Sequence, residues 1–288
     1  MSQISISVEK LSYWYGDLKA VNQISFEVAQ GEILGFLGPN GAGKTTTQKM
    51  LTGQLRPKDG RATLLGFDVA KDTEEIHRRI GICFEQTNLY EQMTALENLQ
   101  LFADLFGVNN FNGYALLKRV GLAGREKDKV AGYSKGMKQR LMVARSLVNT
   151  PSILFMDEPT SGLDPVSSES IRDIILEERK RGATIFLTTH DMWEADKLCD
   201  RVAFINEGSI AALDAPVNLK QQYGKRSLIA KVKSANGQLE NREIALDTGK
   251  TAEEVSKLLS SERVLTLHSE EATLEDIFIK ITGRRLTE

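Results

Sequence analysis

Cysteine is scarce in this chain. There are two among 288 residues, Cys83 and Cys199, each in a mainly apolar neighbourhood. Such thiols read as buried free side chains, and no disulfide framework or metal-binding spacing can be built from them. Long apolar runs are missing as well: no stretch approaches the ~20 apolar residues that cross a bilayer. Residues 1–10 look like a strand rather than a secretion leader. A cytoplasmic chain is therefore expected, with any membrane link made through a partner. An excess of charge is also absent. The 37 basic and 39 acidic residues leave a net charge of −2, so no overall basic field points to nucleic acid. What remains is ordinary globular material, 41% hydrophobic and 26% charged, long enough for one large or two modest domains.

One stretch stands out against that background: Gly38-Pro39-Asn40-Gly41-Ala42-Gly43-Lys44-Thr45-Thr46. It follows the apolar run 33–37, which reads as a buried strand, and leads into residues 46–51, which read as the opening of a helix. The spacing is that of the phosphate-binding loop. Gly41 and Gly43 permit backbone angles that a Cβ would forbid, so several N–H groups can turn inward around one anion. The helix N-terminus adds partial positive charge. Lys44 brings a full charge to the outer phosphates, and the Thr45 hydroxyl can ligate Mg²⁺. Alone, this stretch means that a nucleoside triphosphate binds.

A triphosphate site needs a second metal-facing group and something to position a water. The run 153–156 reads as a strand delivering Asp157 and Glu158 at its end, and Pro159 makes the chain leave the strand there. Asp157 can face the metal while Glu158 faces the γ-phosphate. Thr188-Thr189-His190-Asp191 closes the next core strand, which puts His190 beside the same edge of the sheet.

The rest of the chain supplies the frame. Residues 4–8 and 24–28 alternate with period two, so the chain opens with an antiparallel β layer. Strands alternate with helices from the phosphate loop to about residue 213, which argues for a mainly parallel, doubly wound core. Between residues 87 and 150 helical spacing takes over, with Leu96, Leu99, Phe102, Leu105 and Phe106 expected on one face. That block reads as a helical insertion. The tail reads as a helix ending at Gly224, then strand, strand, helix, strand and helix: a small α+β module.

At this point the chain resembles the nucleotide-binding subunit of an ABC transporter, of the ABC-2 drug- or sodium-exporter type with a separate membrane subunit. The resemblance covers about residues 4–215. It implies an α/β P-loop NTPase cassette: a RecA-like core, an antiparallel β subdomain and an inserted helical subdomain at about 88–150. The cassette would span 1–220, and the C-terminal α+β module 221–288. By resemblance, Tyr15 stacks on adenine, with Tyr13 and Trp14 as competing stackers. The loop 38–46 is the Walker A loop. Gln86 is the Q-loop glutamine that touches Mg²⁺ and the water. Ser134 and Gly136 belong to the family signature, and Asp157 is the Walker B acid. Glu158 is the catalytic glutamate, Ser161-Gly162-Leu163-Asp164 the D-loop, and His190 the switch histidine. The common signature Leu-Ser-Gly-Gly-Gln is here Tyr133-Ser134-Lys135-Gly136-Met137. Lys135 either tunes hydrolysis or is a solvated side chain.

The resemblance further implies ATP and Mg²⁺ as ligands and a role for Lys44, Gln86, Glu158 and His190 in hydrolysis. The signature would complete the site of a second nucleotide-binding subunit, in a homodimer or heterodimer. The other partner would be a separate transmembrane permease, with the chain peripheral on the inner face of the cell membrane and no nucleic acid bound. Leu89, Tyr90 and Met93 either meet a membrane-subunit helix or pack the helical insertion. The tail module would serve dimer contact or regulation. The alternative is a soluble ATP-switched relative acting on nucleic acid or ribosomes. Such chains resemble a cassette split by coiled coils or a pair of cassettes, and this chain has neither feature.

Overall fold

The computed structural model describes residues 3–224, 226–233, 238–246, 249–261 and 263–285. The chain forms two compact units, the first ending at Leu213 and the second spanning Asp214–Arg285.

The first unit opens with a long hairpin, β1 (Ile4–Tyr15) and β2 (Leu18–Ala29), turning at Gly16-Asp17. Both strands outrun the alternating stretches 4–8 and 24–28. Register shifts after Val8 and after Leu11 break the period-two pattern that alternation relies on. Then follow β3 (Ile33–Leu37), α1 (Lys44–Leu51), β4 (Asp59–Leu64) and the short β5 (Phe67–Asp68). The order β2-β1-β4-β5 makes a four-stranded antiparallel sheet.

The chain continues through α2 (Thr73–His77) and β6 (Ile80–Cys83). Three helices follow: α3 (Ala95–Phe106), α4 (Gly113–Arg119) and α5 (Lys135–Ser146). Next come β7 (Ile153–Asp157), α6 (Pro165–Arg181), β8 (Thr184–Thr189), α7 (Met192–Leu198), β9 (Arg201–Asn206) and β10 (Ser209–Asp214). The second sheet has the order β10-β9-β3-β8-β7-β6, and its strands from β9 to β6 run parallel. Every residue of β3, β7 and β8 is buried, as expected of strands covered on both faces.

An apolar core joins the two sheets. Ile6, Val28 and Leu64 from the antiparallel sheet share it with Phe36, Phe155 and Phe186 from the parallel one and with Met50 and Leu51 of α1. Phe26, Phe36, Phe155 and Phe186 pack with ring centroids 5.2 to 6.1 Å apart. Truncating one such ring to alanine costs about 3–5 kcal/mol.

In the helical insertion, α3 starts in a capping box between Thr94 and Glu97 and buries Ala95, Asn98, Leu99 and Ala103. Leu105 departs from the expected apolar face and is 71% exposed. At 3.6 residues per turn, it is rotated about 120° from Leu99. The far end of α5 presses on β6 at Gly81, where a Cβ would run into the Ser146 carbonyl.

The second unit contains α8 (Pro216–Tyr223), β11 (Arg226–Lys233), β12 (Leu239–Ala245), α9 (Thr251–Ser261), β13 (Arg263–Glu271) and α10 (Leu274–Thr282). Its antiparallel sheet has the order β12-β11-β13 over a small core of Ala230, Val232, Ile244 and Leu258. Among the described residues no helix is long and apolar enough to cross a membrane.

Candidate functional site

Strand order decides what meets what. Leu37 at the end of β3 lies opposite Thr189 of β8, and Thr188 lies opposite Asp157 of β7. The loop after β3, the acids at the end of β7 and the histidine after β8 therefore leave the sheet at one carboxyl edge, the usual ligand-binding edge of a parallel sheet.

The 38–46 loop is shaped by its glycines. Gly41 and Gly43 have φ of 78° and 110°, in the left-handed region. A Cβ on Gly43 would stand 2.5 Å from the Ala20 carbonyl of the hairpin. Gly43 caps α1 with no side-chain hydrogen bond, so the first N–H groups of that helix remain available to an anion. Lys44 is buried, and its Nζ donates to the carbonyls of Gly38 at 2.5 Å and Pro39 at 3.2 Å. Burial lowers its pKa, against the pull of Glu158, Asp157 and Glu85.

Facing it are buried acids. Asp157 accepts a hydrogen bond from the Thr188 hydroxyl. Glu158 sits at φ 48°, uncommon for a residue with a side chain, and its N–H donates to the Thr188 carbonyl at 3.0 Å. That bend turns Glu158 away from the strand, and its Oε2 lies 2.8 Å from His190 Nδ1. Burial raises the pKa of both acids, partly offset by Thr188 at Asp157 and by His190 at Glu158.

These groups line one polar cavity of about 350 Å³. Asn40, Gly41, Gly43, Lys44, Thr45 and Thr46 come from the loop and α1; Asp157, Glu158 and His190 come from the ends of β7 and β8. Glu85 and Ser161 complete the lining. Glu85 was not expected as a site residue, and Ser161 was named only as part of the D-loop stretch. Glu85 leaves β6, the strand next to β7, and Ser161 follows Glu158 in the turn whose N–H at 161 bonds the Glu158 carbonyl at 3.2 Å. The adjacent Gln86 and the quoted 161–164 stretch were the available signals.

Other expected residues lie elsewhere. Gly38 and Pro39 hold the Lys44 amine, and Ala42 is buried with its carbonyl taken by the Gly208 N–H at 3.0 Å. Gln86 is exposed and outside the cavity lining, where Glu85 stands instead. Tyr15 is 47% exposed, edge-on to Tyr13 at 4.9 Å. Tyr13 and Trp14 lie under the Lys58 amine, at 5.3 and 5.2 Å. Ser134 caps α5, its hydroxyl accepting the Met137 N–H at 3.3 Å. Asp164 caps α6, accepting the Ser167 N–H at 3.0 Å, and its pKa is lowered first by the Ser167 hydroxyl and then by that N–H. Gly136 lies beside that cap, where a Cβ would come 3.0 Å from Ser167 Oγ. Lys135 is exposed, yet its amine covers Gly162 so closely that a Cβ there would collide with it.

Comparison with known proteins matches this geometry. The ABC transporter family profile covers residues 21–161. The chain is 47% identical over 268 residues to a Fluoroquinolones export ATP-binding protein of Mycobacterium tuberculosis, covering 93% of this chain and 89% of that protein. It is 41% identical over 207 residues to the Bacitracin transport ATP-binding protein BcrA of Bacillus licheniformis, covering 71% and 68%. A solved ATP-binding subunit of an ABC transporter superposes with a TM-score of 0.71 at 30% identity, covering 76% of this chain and 93% of that one. The chain belongs to the ABC transporter family, as one of its ATP-binding, ATP-hydrolysing proteins.

Proposed function

We propose that this chain powers an exporter by binding and hydrolysing ATP at the carboxyl edge of its parallel sheet. The observation that carries the proposal is the convergence of Lys44, Asp157, Glu158 and His190 on one cavity at the N-terminus of α1. The loop N–H groups and Lys44 bind the phosphates, and Tyr15 is the surface for adenine. Glu158, its pKa raised by burial, orients or deprotonates the attacking water. His190 acts on the γ-phosphate side and fixes the Glu158 carboxylate through their contact.

The residues present fit Mg²⁺. Thr45 and Asp157 both line the cavity and offer hard oxygen donors, and Mg²⁺ takes few protein ligands beside those of the phosphates. Thr45 and Asp157 would hold it, with Gln86 assigned alongside them by family resemblance. When bound, it neutralises phosphate charge.

Ser134, Gly136 and Asp164 stand outside this cavity, which supports a role at the site of a second subunit, identical or related. Two subunits would then close on two nucleotides in a two-fold arrangement. The difference in binding between ATP and ADP states drives the cycle.

The remaining partner is a separate transmembrane permease, with this chain on the cytoplasmic face. A mainly apolar cavity of about 310 Å³, lined among others by Phe84, Phe102 and Phe106, is reached by the segment that follows Gln86 at Asn88. Tyr90, two residues past Asn88, is 53% exposed. Export is the direction carried over from the mycobacterial relative. A photocrosslinker at Tyr90 in cells tests the coupling. The expected product joins the chain to a multi-spanning membrane protein; crosslinks to ribosomal or nucleic-acid-bound proteins alone would replace the exporter with a soluble ATP-switched machine.

A further inference from the structure

Glu194 is a buried acid outside the cavity, and its surroundings tie the two sides of the hydrolysis site together. After His190, Asp191 caps α7 by accepting the N–H groups of Trp193 at 2.9 Å and Glu194 at 3.0 Å. That start turns the Glu194 side chain inward, where it is wholly buried. Its Oε2 accepts a hydrogen bond from Thr160 Oγ1 at 2.9 Å. Its Oε1 is buried with no hydrogen-bond partner. The nearest cation, Arg172, is 3.9 Å from that oxygen and is held 2.7 Å from Glu169 with its guanidinium over the Trp193 ring. Burying a carboxylate oxygen without a hydrogen bond is costly, so a fold that retains one invites an explanation beyond packing.

The bond to the other oxygen, Oε2, shows what the side chain connects. Thr160 lies two residues after Glu158 and one before Ser161, and both of those residues line the cavity. Its carbonyl also accepts the Leu163 N–H at 3.2 Å, so it anchors both halves of the turn. The Glu194–Thr160 bond therefore joins the turn that carries Glu158 to the helix that begins just after His190. The tips of those two elements meet at the Glu158–His190 contact of 2.8 Å. We infer that Glu194 is a positioning residue for ATP hydrolysis: through Thr160 it fixes the Glu158 turn against the His190 helix and so sets the geometry of the Glu158–His190 pair.

The inference rests on the proposed roles of Glu158 and His190, and its test separates the two. Phosphate release and the KM for ATP are measured for Thr160→Val, Glu194→Ala, Glu194→Gln and the Thr160→Val/Glu194→Ala pair, beside Glu158→Gln and His190→Ala. Thr160→Val and Glu194→Ala should each lower kcat about ten-fold, as expected of misplaced reacting groups. The KM for ATP should stay within about two-fold, and the double variant should fall no further than either single one. Glu194→Gln keeps an acceptor oxygen for Thr160 and should recover most of the rate. Thr160→Val carries the test if Glu194→Ala does not fold. Wild-type kcat in Thr160→Val, or losses that multiply in the double variant, would overturn the positioning role while leaving an inactive Glu158→Gln in place. Normal turnover in both Glu158→Gln and His190→Ala would instead remove the site assignment on which it rests.

Discussion

Two helix N-termini in the first unit carry phosphate-loop and signature patterns, and they are finished in different ways. At α1 the cap is Gly43, with φ 110° and no side-chain hydrogen bond, and the next residue is a buried lysine. At α5 the cap is Ser134, exposed, whose own hydroxyl already accepts the Met137 N–H. Both ends begin with the same unsatisfied donors. The first leaves them for an incoming anion and sets Lys44 beside them; the second satisfies one internally. In the proposed dimer, α1 therefore supplies the primary phosphate site, and α5 adds its donors once another subunit presents a nucleotide.

That contrast can be broken from either side. The largest effect should come from Lys44→Ala, which removes the buried charge from the primary site. A charged hydrogen bond is worth about 1.5–3 kcal/mol, so nucleotide titration should show affinity reduced by about 10- to 100-fold. Unchanged affinity would mean that the cavity is not where the phosphates bind. Next is Gly43→Ala, which puts a side chain at φ 110° and 2.5 Å from the Ala20 carbonyl. Backbone strain of about 1–3 kcal/mol should lower both the melting temperature and nucleotide affinity. Ser134→Ala should cost only the cap, about 1 kcal/mol in a thermal melt, and leave nucleotide affinity of the isolated subunit unchanged while slowing turnover. Lost affinity in the isolated subunit would place Ser134 in the site of its own chain.

Much of α1's site was legible because its signals are local. The run Ile33–Leu37 reads as a buried strand, the glycines mark where the backbone must turn, and Ile153–Asp157 delivers its acid at a strand end. Glu85 lines the cavity and was not expected there, since which residues after a strand face a cavity depends on how the chain leaves β6. The Thr160–Glu194 bond spans 34 residues and exists only because α7 returns against the turn after β7. Leu105 was misplaced by treating a six-residue spacing as one face of a helix. Lys135, open between two readings, lies over Gly162, a contact between α5 and the turn before α6 that no local pattern specifies.

The smallest effect concerns pH. Burial raises the Glu194 pKa in the folded chain. As pH rises through the ordinary carboxylate range, about pH 4, the unfolded chain releases that proton first and the folded chain holds it longer. Stability therefore falls across the window up to the raised folded value. Thermal melts of Glu194→Gln lack this loss, so the variant should gain on the wild type as pH rises through that window and hold a constant offset above it. A difference independent of pH would show that the Glu194 carboxyl ionises no less readily in the fold than in the unfolded chain.

The most direct test of Glu158 as the residue acting on water is steady-state phosphate release by Glu158→Gln, with bound nucleotide measured in the same preparation. The substitution keeps size and polarity and removes the base. The result expected is retained ATP with phosphate release lowered by at least about 100-fold. ATP turnover at the wild-type rate would contradict it.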